Sequence, residues 1–268
     1  MTILNATIRR DFVVVSQDTW VMPKLAGLEE LSALATIDVE QASEATFIGD
    51  GTPPDSQPCA LGSKIIVVPH LHMLVAGSGC YATLRHWATL LMTRQVASDI
   101  RDLEQNAREL IRGLRKELPH PGELLCFHAG FDREAGCYGG FVCASGDDFV
   151  PQRVEAWGHT AVPVPSSDDP AYGALAERWP RCDAPDETEA FHIELAKNQE
   201  AAWRRGLYRP GVGIGGQLHV ARLDRDGLRV RVAHEFPDYA LQAEISHLQN
   251  VAVLRHQIGA AISSASSA

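Results

Sequence analysis

Thr2-Ile-Leu-Asn-Ala-Thr-Ile8, then Arg9-Arg10-Asp11, then Phe12-Val-Val-Val-Ser-Gln17, is the stretch on which the fold turns. Two short runs rich in β-branched residues, split by three polar ones, predict a pair of strands joined by a tight turn. A helix-like run, Leu25–Leu34, follows, then a polar segment ending Gly49-Asp-Gly-Thr-Pro-Pro-Asp-Ser56; residues 25–62 are expected to form a surface insertion. Lys64-Ile-Ile-Val-Val-Pro69 and His72-Met-Leu-Val-Ala76 read as a second strand pair, with Gly77-Ser-Gly79 breaking the pattern. From Tyr81 to Leu118 apolar residues recur at helical spacing, with a break near Ala97-Ser98 and Ser98 as the expected N-cap.

The second half repeats that order. Leu124–Phe131, Tyr138–Ala144 and Phe149–Trp157 read as strands separated by polar, Gly-containing turns. A Pro/Ser/Asp-rich loop, Pro163–Pro170, precedes a short helix near Tyr172–Trp179 and a longer one over Glu187–Arg205. Leu218–Leu223 and Leu228–His234 flank Asp224-Arg-Asp-Gly227, whose Asp-Gly is a strong hairpin signal. A last helix is expected over Leu241–Ile258, with a frayed tail at 260–268. Strands followed by two helices, twice over, lack the alternating rhythm of parallel α/β folds. The expectation is therefore a single α+β domain over 1–268: a four-layer αββα sandwich of two stacked antiparallel sheets flanked by helices.

Composition narrows the function classes. A net charge of −10 argues against nucleic acid or an anionic membrane as the main partner, because phosphates call for a basic surface. Six cysteines without a C-x-x-C pair read as buried free thiols in a reducing compartment. The start of the chain has no basic-then-apolar leader pattern and no apolar run approaches a membrane span, so a soluble cytoplasmic protein is expected. Lysine is scarce (Lys24, Lys64, Lys116 and Lys197 only), which makes Lys64 at a strand start conspicuous.

The order of elements and three local motifs together resemble the proteasome β-subunit family, including HslV-like peptidases. The first motif is Met-Thr followed by a hairpin whose second strand ends Val-Val-Ser-Gln-Asp18-Thr-Trp, similar to the family's apolar strand ending Ala-Ser-Asp-Thr/Ser-Arg. The second is Ser63-Lys64-Ile-Ile-Val-Val, and the third Leu74-Val-Ala-Gly77-Ser-Gly79 leading into a helix. The motifs cover about 2–118, and element order extends the likeness to about 260. The resemblance implies an Ntn-hydrolase (N-terminal nucleophile) fold and hydrolysis of a peptide or other amide. After removal of Met1, the Thr2 hydroxyl is the nucleophile and its α-amine, titrating near 7.7–8.0, the base. Lys64⁺ lowers the pKa of both groups, Asp18⁻ keeps Lys64 charged, and the Gly77 N–H receives the oxyanion. It further implies a substrate pocket lined by Trp20, Met22 and Val75, no cofactor, homo-oligomeric assembly and a possible ATP-dependent partner.

The chain departs from that pattern at several points. The gap between Asp18 and Lys64 is longer, Trp20 stands where the family carries Arg or another polar residue, and Gly211-Val-Gly-Ile-Gly215-Gly216 keeps a Gly pair without the family's Asp and Ser. An earlier Ser-containing turn reads Trp157-Gly158-His159-Thr160. These departures leave open an alternative with the same fold and no catalysis, acting in assembly or binding. A second alternative, a dinucleotide-binding oxidoreductase, rests on Gly77-Ser-Gly79-Cys80-Tyr81-Ala82, which fits G-x-G-x-x-A. His70-x-His72 has metal-site spacing but no companion ligands nearby, so it reads as a turn pair. Ser166–Asp169 reads as a solvated turn, Cys80 and Cys143 as small packing residues, and no G-x-S-x-G elbow occurs.

Overall fold

β1 (Leu4–Ile8) and β2 (Phe12–Asp18) form the expected hairpin, with Leu4 opposite Gln17 and Ile8 opposite Val13. The computed structural model describes residues 3–19, 63–118, 123–154, 158–163, 170–208 and 213–237, together with 239, 240 and 243. The sequence readings at Leu25–Leu34, over the 25–62 insertion, over Leu241–Ile258 (Ala243 apart) and at the tail fall outside these residues.

The hairpin is the centre of one five-stranded sheet, ordered β10-β9-β2-β1-β8, in which β8 is His159–Val162, β9 Gln217–Asp224 and β10 Gly227–Glu235. The second sheet, ordered β3-β4-β5-β6-β7, contains β3 (Ile65–Val68), β4 (Met73–Gly79), β5 (Leu124–Asp132), β6 (Cys137–Ala144) and β7 (Gln152–Val154). Every ladder among the described residues is antiparallel.

Side-chain alternation explains why the strands read as unbroken apolar runs. On β1 and β2, Leu4, Ala6, Ile8, Val13 and Val15 face Leu74, Ala76, Phe127 and Ala129 of the other sheet, forming the inner core. Alternate residues face helices. Met73, Val75, Cys126 and Phe141 pack with Leu84, Trp87, Leu103 and Ile111 from α1 (Tyr81–Thr93) and α2 (Ile100–Glu117). Phe12, Val14 and Val220 pack with Ala196 of α4 (Pro185–Arg204), and Leu175 of α3 (Pro170–Arg178) joins Phe191 and Leu195 of α4 beside Ala161. Helices thus cover the outer faces of two stacked antiparallel sheets, an α+β sandwich.

α2 shows how sequence becomes packing. Ile100, Leu103, Ala107, Ile111 and Leu114 recur every three or four residues and are its buried stripe. Its N-cap is Asp99, not Ser98: Asp99 accepts the Asp102 N–H at 3.0 Å. Ser98 instead donates its N–H and hydroxyl to the Asp102 carboxylate at 2.8 and 3.1 Å, completing a reciprocal cap.

Three further readings need correction. β4 does not stop at Ala76 but runs through Gly77-Ser78-Gly79, because β5 continues to pair with it as far as Leu124. Within Phe149–Trp157 only Gln152–Val154 is strand among the described residues, and His159–Val162, whose first two residues read as part of a turn, is β8 paired to β1. Of the six thiols, Cys126 and Cys143 are buried and opposite each other across β5 and β6, whereas Cys80, Cys137 and Cys182 are partly exposed and Cys59 lies outside the described residues.

Candidate active site

Antiparallel pairing brings one end of several elements to a single place. The start of β1 lies beside the end of β2, and Asp18 at that end lies opposite Leu218 of β9, next to the Gly213–Gly216 segment. Lys64 immediately precedes β3 of the facing sheet.

Asp18 is the hub. Its side chain is fully buried; Oδ1 accepts the Ile3 N–H at 3.1 Å and Lys64 Nζ at 3.3 Å, and Oδ2 accepts the Gly215 N–H at 3.2 Å. Lys64 is only 6% exposed, so the pair is desolvated at both ends. Burial pushes the Asp18 pKa up to about 6, against the opposing pull of Lys64 and the Gly215 and Ile3 N–H groups. Burial likewise lowers the Lys64 pKa, with Asp18 pulling it back up. A lysine so placed gives up its proton more readily than a surface one.

Gly77 lies on the adjoining strand edge. Cys80 donates its N–H to the Glu123 carbonyl at 2.6 Å, so by alternation Ser78 and Ala76 also turn their backbone groups to β5. Gly77 therefore turns its N–H and C=O the other way, toward β3. The last β3 pair is Ile65–Ala76, so these two groups face the backbone of Lys64, the residue just before β3. The Gly77 carbonyl there accepts a hydrogen bond from Gln17 Nε2. A Cβ at position 77 would lie 2.7 Å from Leu84 Cδ1 and 3.1 Å from the Leu125 carbonyl, so a larger residue would have to displace the Leu84 side chain.

The structure brings Asp18, Lys64 and the Gly77 backbone to one region. Thr2, Trp20 and Met22 lie outside the described residues. Val75 has no exposed surface and packs in the helix-side core, so among the described residues it is core and not pocket wall. Trp157 is also outside the described residues, while His159, on β8, stacks on Trp179 with ring centroids 4.4 Å apart.

Sequence reading missed several neighbours. Gln17, 1% exposed, carries no signal beyond preceding Asp18. Thr19 exchanges two bonds with Gln217, donating its N–H to the Gln217 carbonyl at 2.9 Å and accepting the Gln217 N–H on its hydroxyl at 2.8 Å. His219 Nδ1 lies 3.3 Å from Ser63 Oγ, and burial lowers its pKa, so it is neutral near pH 7. The Gly-rich run was visible, but a carboxylate bond to the Gly215 N–H is not encoded by any side chain.

Other chemistries find less support here. Gly77 and Gly79 lie within an antiparallel strand, without the parallel βαβ unit that aims a helix N-terminus at a pyrophosphate. His70 and His72 are exposed turn residues, and among the described residues no three His, Cys, Asp or Glu side chains gather as a metal site. The Cys143 pKa is pushed up to about 12, and burial raises that of Cys126, so neither is a thiolate nucleophile. Among the described residues no helix is long and apolar enough to cross a membrane.

No protein-family model matches the chain, and no curated protein matches it. The class defined by fold and site is an α+β sandwich of two antiparallel sheets with a buried Asp–Lys pair at one end.

Proposed function

We propose that this chain is a proteasome-like Ntn-hydrolase, an amidohydrolase whose nucleophile is Thr2 once Met1 has been removed. The observation that carries the reading is the convergence on Asp18 of Lys64 Nζ and the Ile3 N–H, the latter belonging to the residue that follows Thr2. In this mechanism the Thr2 hydroxyl attacks an amide carbonyl while the Thr2 α-amine accepts its proton. Negative charge that develops on the carbonyl oxygen meets the Gly77 N–H. Collapse returns the proton to the leaving amine and leaves an ester on Thr2, which water hydrolyses with the same amine as base. Lys64⁺ favours the neutral amine and the alkoxide-like oxygen; Asp18⁻ holds Lys64 charged. The substrate is a peptide or other amide, with Trp20 and Met22 shaping an apolar pocket by resemblance. Homo-oligomeric assembly and an ATP-dependent partner belong to the same proposal.

A non-catalytic protein of this fold is the second reading. It is favoured by the Gly213–Gly216 segment, which brings a backbone N–H to Asp18 but no hydroxyl or carboxylate side chain. Hydrolysis of a panel of fluorogenic peptide amides separates the two. The enzyme reading expects turnover that Thr2→Ala abolishes while the thermal midpoint stays within a few degrees. Turnover equal in wild type and Thr2→Ala, or absent from both, rejects it.

A further inference from the structure

We infer that Gln17 is a positioning residue, which holds the Gly77 backbone so that its N–H stays aimed at the reacting carbonyl. The inference rests on the amidohydrolase reading and adds to it a side chain that the resemblance does not supply, since Ser stands at this place in the family's motif.

Three observations carry it. Gln17 is buried, on the strand residue next to Asp18, and its Nε2 donates to the Gly77 carbonyl across the gap between the two sheets. A carbonyl oxygen can only accept, so the amide nitrogen must be the group that faces it. Secondly, the bonded carbonyl belongs to the same residue as the proposed oxyanion donor. In an extended residue the N–H and C=O leave the strand on one edge, and here that edge lies past the end of β3. The residue facing Gly77 across that edge is Lys64, just before β3, and the Gln17 amide adds a side-chain hold on the Gly77 carbonyl. Thirdly, the other end of the amide is left costly: Gln17 Oε1 is buried and has no hydrogen-bond partner among the described residues. An orphaned buried acceptor is ordinarily unfavourable. Such breaches of local satisfaction concentrate where function demands a particular geometry.

A strand-edge filler and a positioning residue differ in what they alter. A filler contributes to folding alone. A positioning residue acts on the tetrahedral state, because an oxyanion donor a few tenths of an ångström out of place binds substrate as before but stabilises the transition state less. Gln17→Met is the informative change. It keeps the length of the side chain, removes the donor and also removes the orphaned acceptor.

The experiment measures kcat and KM on a peptide amide, and the inhibition constant of a matching peptide aldehyde, which forms a tetrahedral adduct with the threonine hydroxyl. Wild type and Gln17→Met are compared, with thermal midpoints as a check on folding. The inference expects kcat and aldehyde affinity to fall together by roughly 10- to 100-fold, with KM changed less than about twofold. Should Gln17→Met fail to fold, Gln17→Ser, which cannot overfill the site, carries the same comparison. If kcat and aldehyde affinity stay at wild-type values, or only the thermal midpoint moves, Gln17 is a filler and the inference is overturned while the amidohydrolase reading stands. If wild type itself neither turns over nor binds the aldehyde, the amidohydrolase reading falls and takes the inference with it.

Discussion

At the scale of single residues the chain spends stability on Asp18 and Lys64. A desolvated carboxylate and ammonium are costly to bury, and their 3.3 Å contact with two backbone N–H bonds offsets that cost. Lys64→Ala leaves the carboxylate buried without its cation and is expected to cost about 3–5 kcal/mol in urea unfolding. Asp18→Asn combined with Lys64→Met, which removes both charges, is expected to recover at least half of that loss. A Lys64→Ala protein with the wild-type urea midpoint would rule out a charged pair. The pH dependence follows from the same burial. With the Asp18 pKa raised to about 6, the carboxyl is ionised roughly tenfold over its acid form at pH 7. Activity should therefore fall as pH drops through about 6. The fold should not fall with it on this account: a folded carboxyl that holds its proton more tightly than the unfolded one, whose pKa is about 3.9, gains stability on acidification between the two values. Parallel pH profiles of kcat/KM and thermal midpoint check this, and a midpoint that drops together with activity near pH 6 would contradict it. Lys64 was legible because lysine is scarce and stands out at the start of an apolar strand, and Asp18 through the resemblance of its strand end to the family motif. Gln17 was not, because its role depends on a carbonyl sixty positions away in the chain.

At the scale of elements, reading failed where backbone pairing overrode residue preference. Gly77-Ser78-Gly79 has the composition of a break, yet β5 pairs with all three and extends β4 through them. Gly79 takes φ +106°, and a Cβ there would sit 2.2 Å from the Glu123 carbonyl, so the position accepts no side chain without moving the chain entry to α1. Gly79→Ala is expected to lower stability by about 1–3 kcal/mol, measured by thermal or urea unfolding. Wild-type stability in that variant would mean the backbone relaxes freely there. β8 was missed for a related reason. His159-Thr160-Ala161-Val162 is short and follows a glycine, and only its pairing with β1 makes it a strand. By contrast, the hairpin at Asp226-Gly227 and the α2 stripe were legible, since turn chemistry and 3.6-residue periodicity are local properties. Cap assignment failed by one residue because Ser98 and Asp99 both suit the role, and side-chain reach decided for Asp99.

At the scale of the whole molecule, stacked antiparallel sheets under two helix layers follow from strand runs that are apolar on both faces and helices that arrive in consecutive pairs. That much was readable before any coordinates. The convergence of β1, β2, β3 and the Gly213–Gly216 segment was not, because it arises from how the sheets face each other and leaves no mark on any one segment. The central claim, that Thr2 is an N-terminal nucleophile, is most directly tested by intact-mass analysis of untagged protein treated with a peptide epoxyketone. Such a reagent needs the hydroxyl and the free α-amine of one residue to close its ring. The account predicts a chain lacking Met1 that carries one reagent, located on the peptide beginning at Thr2 and absent from Thr2→Ala. Met1 retained in every molecule, or a processed chain that never takes up the reagent, would contradict it.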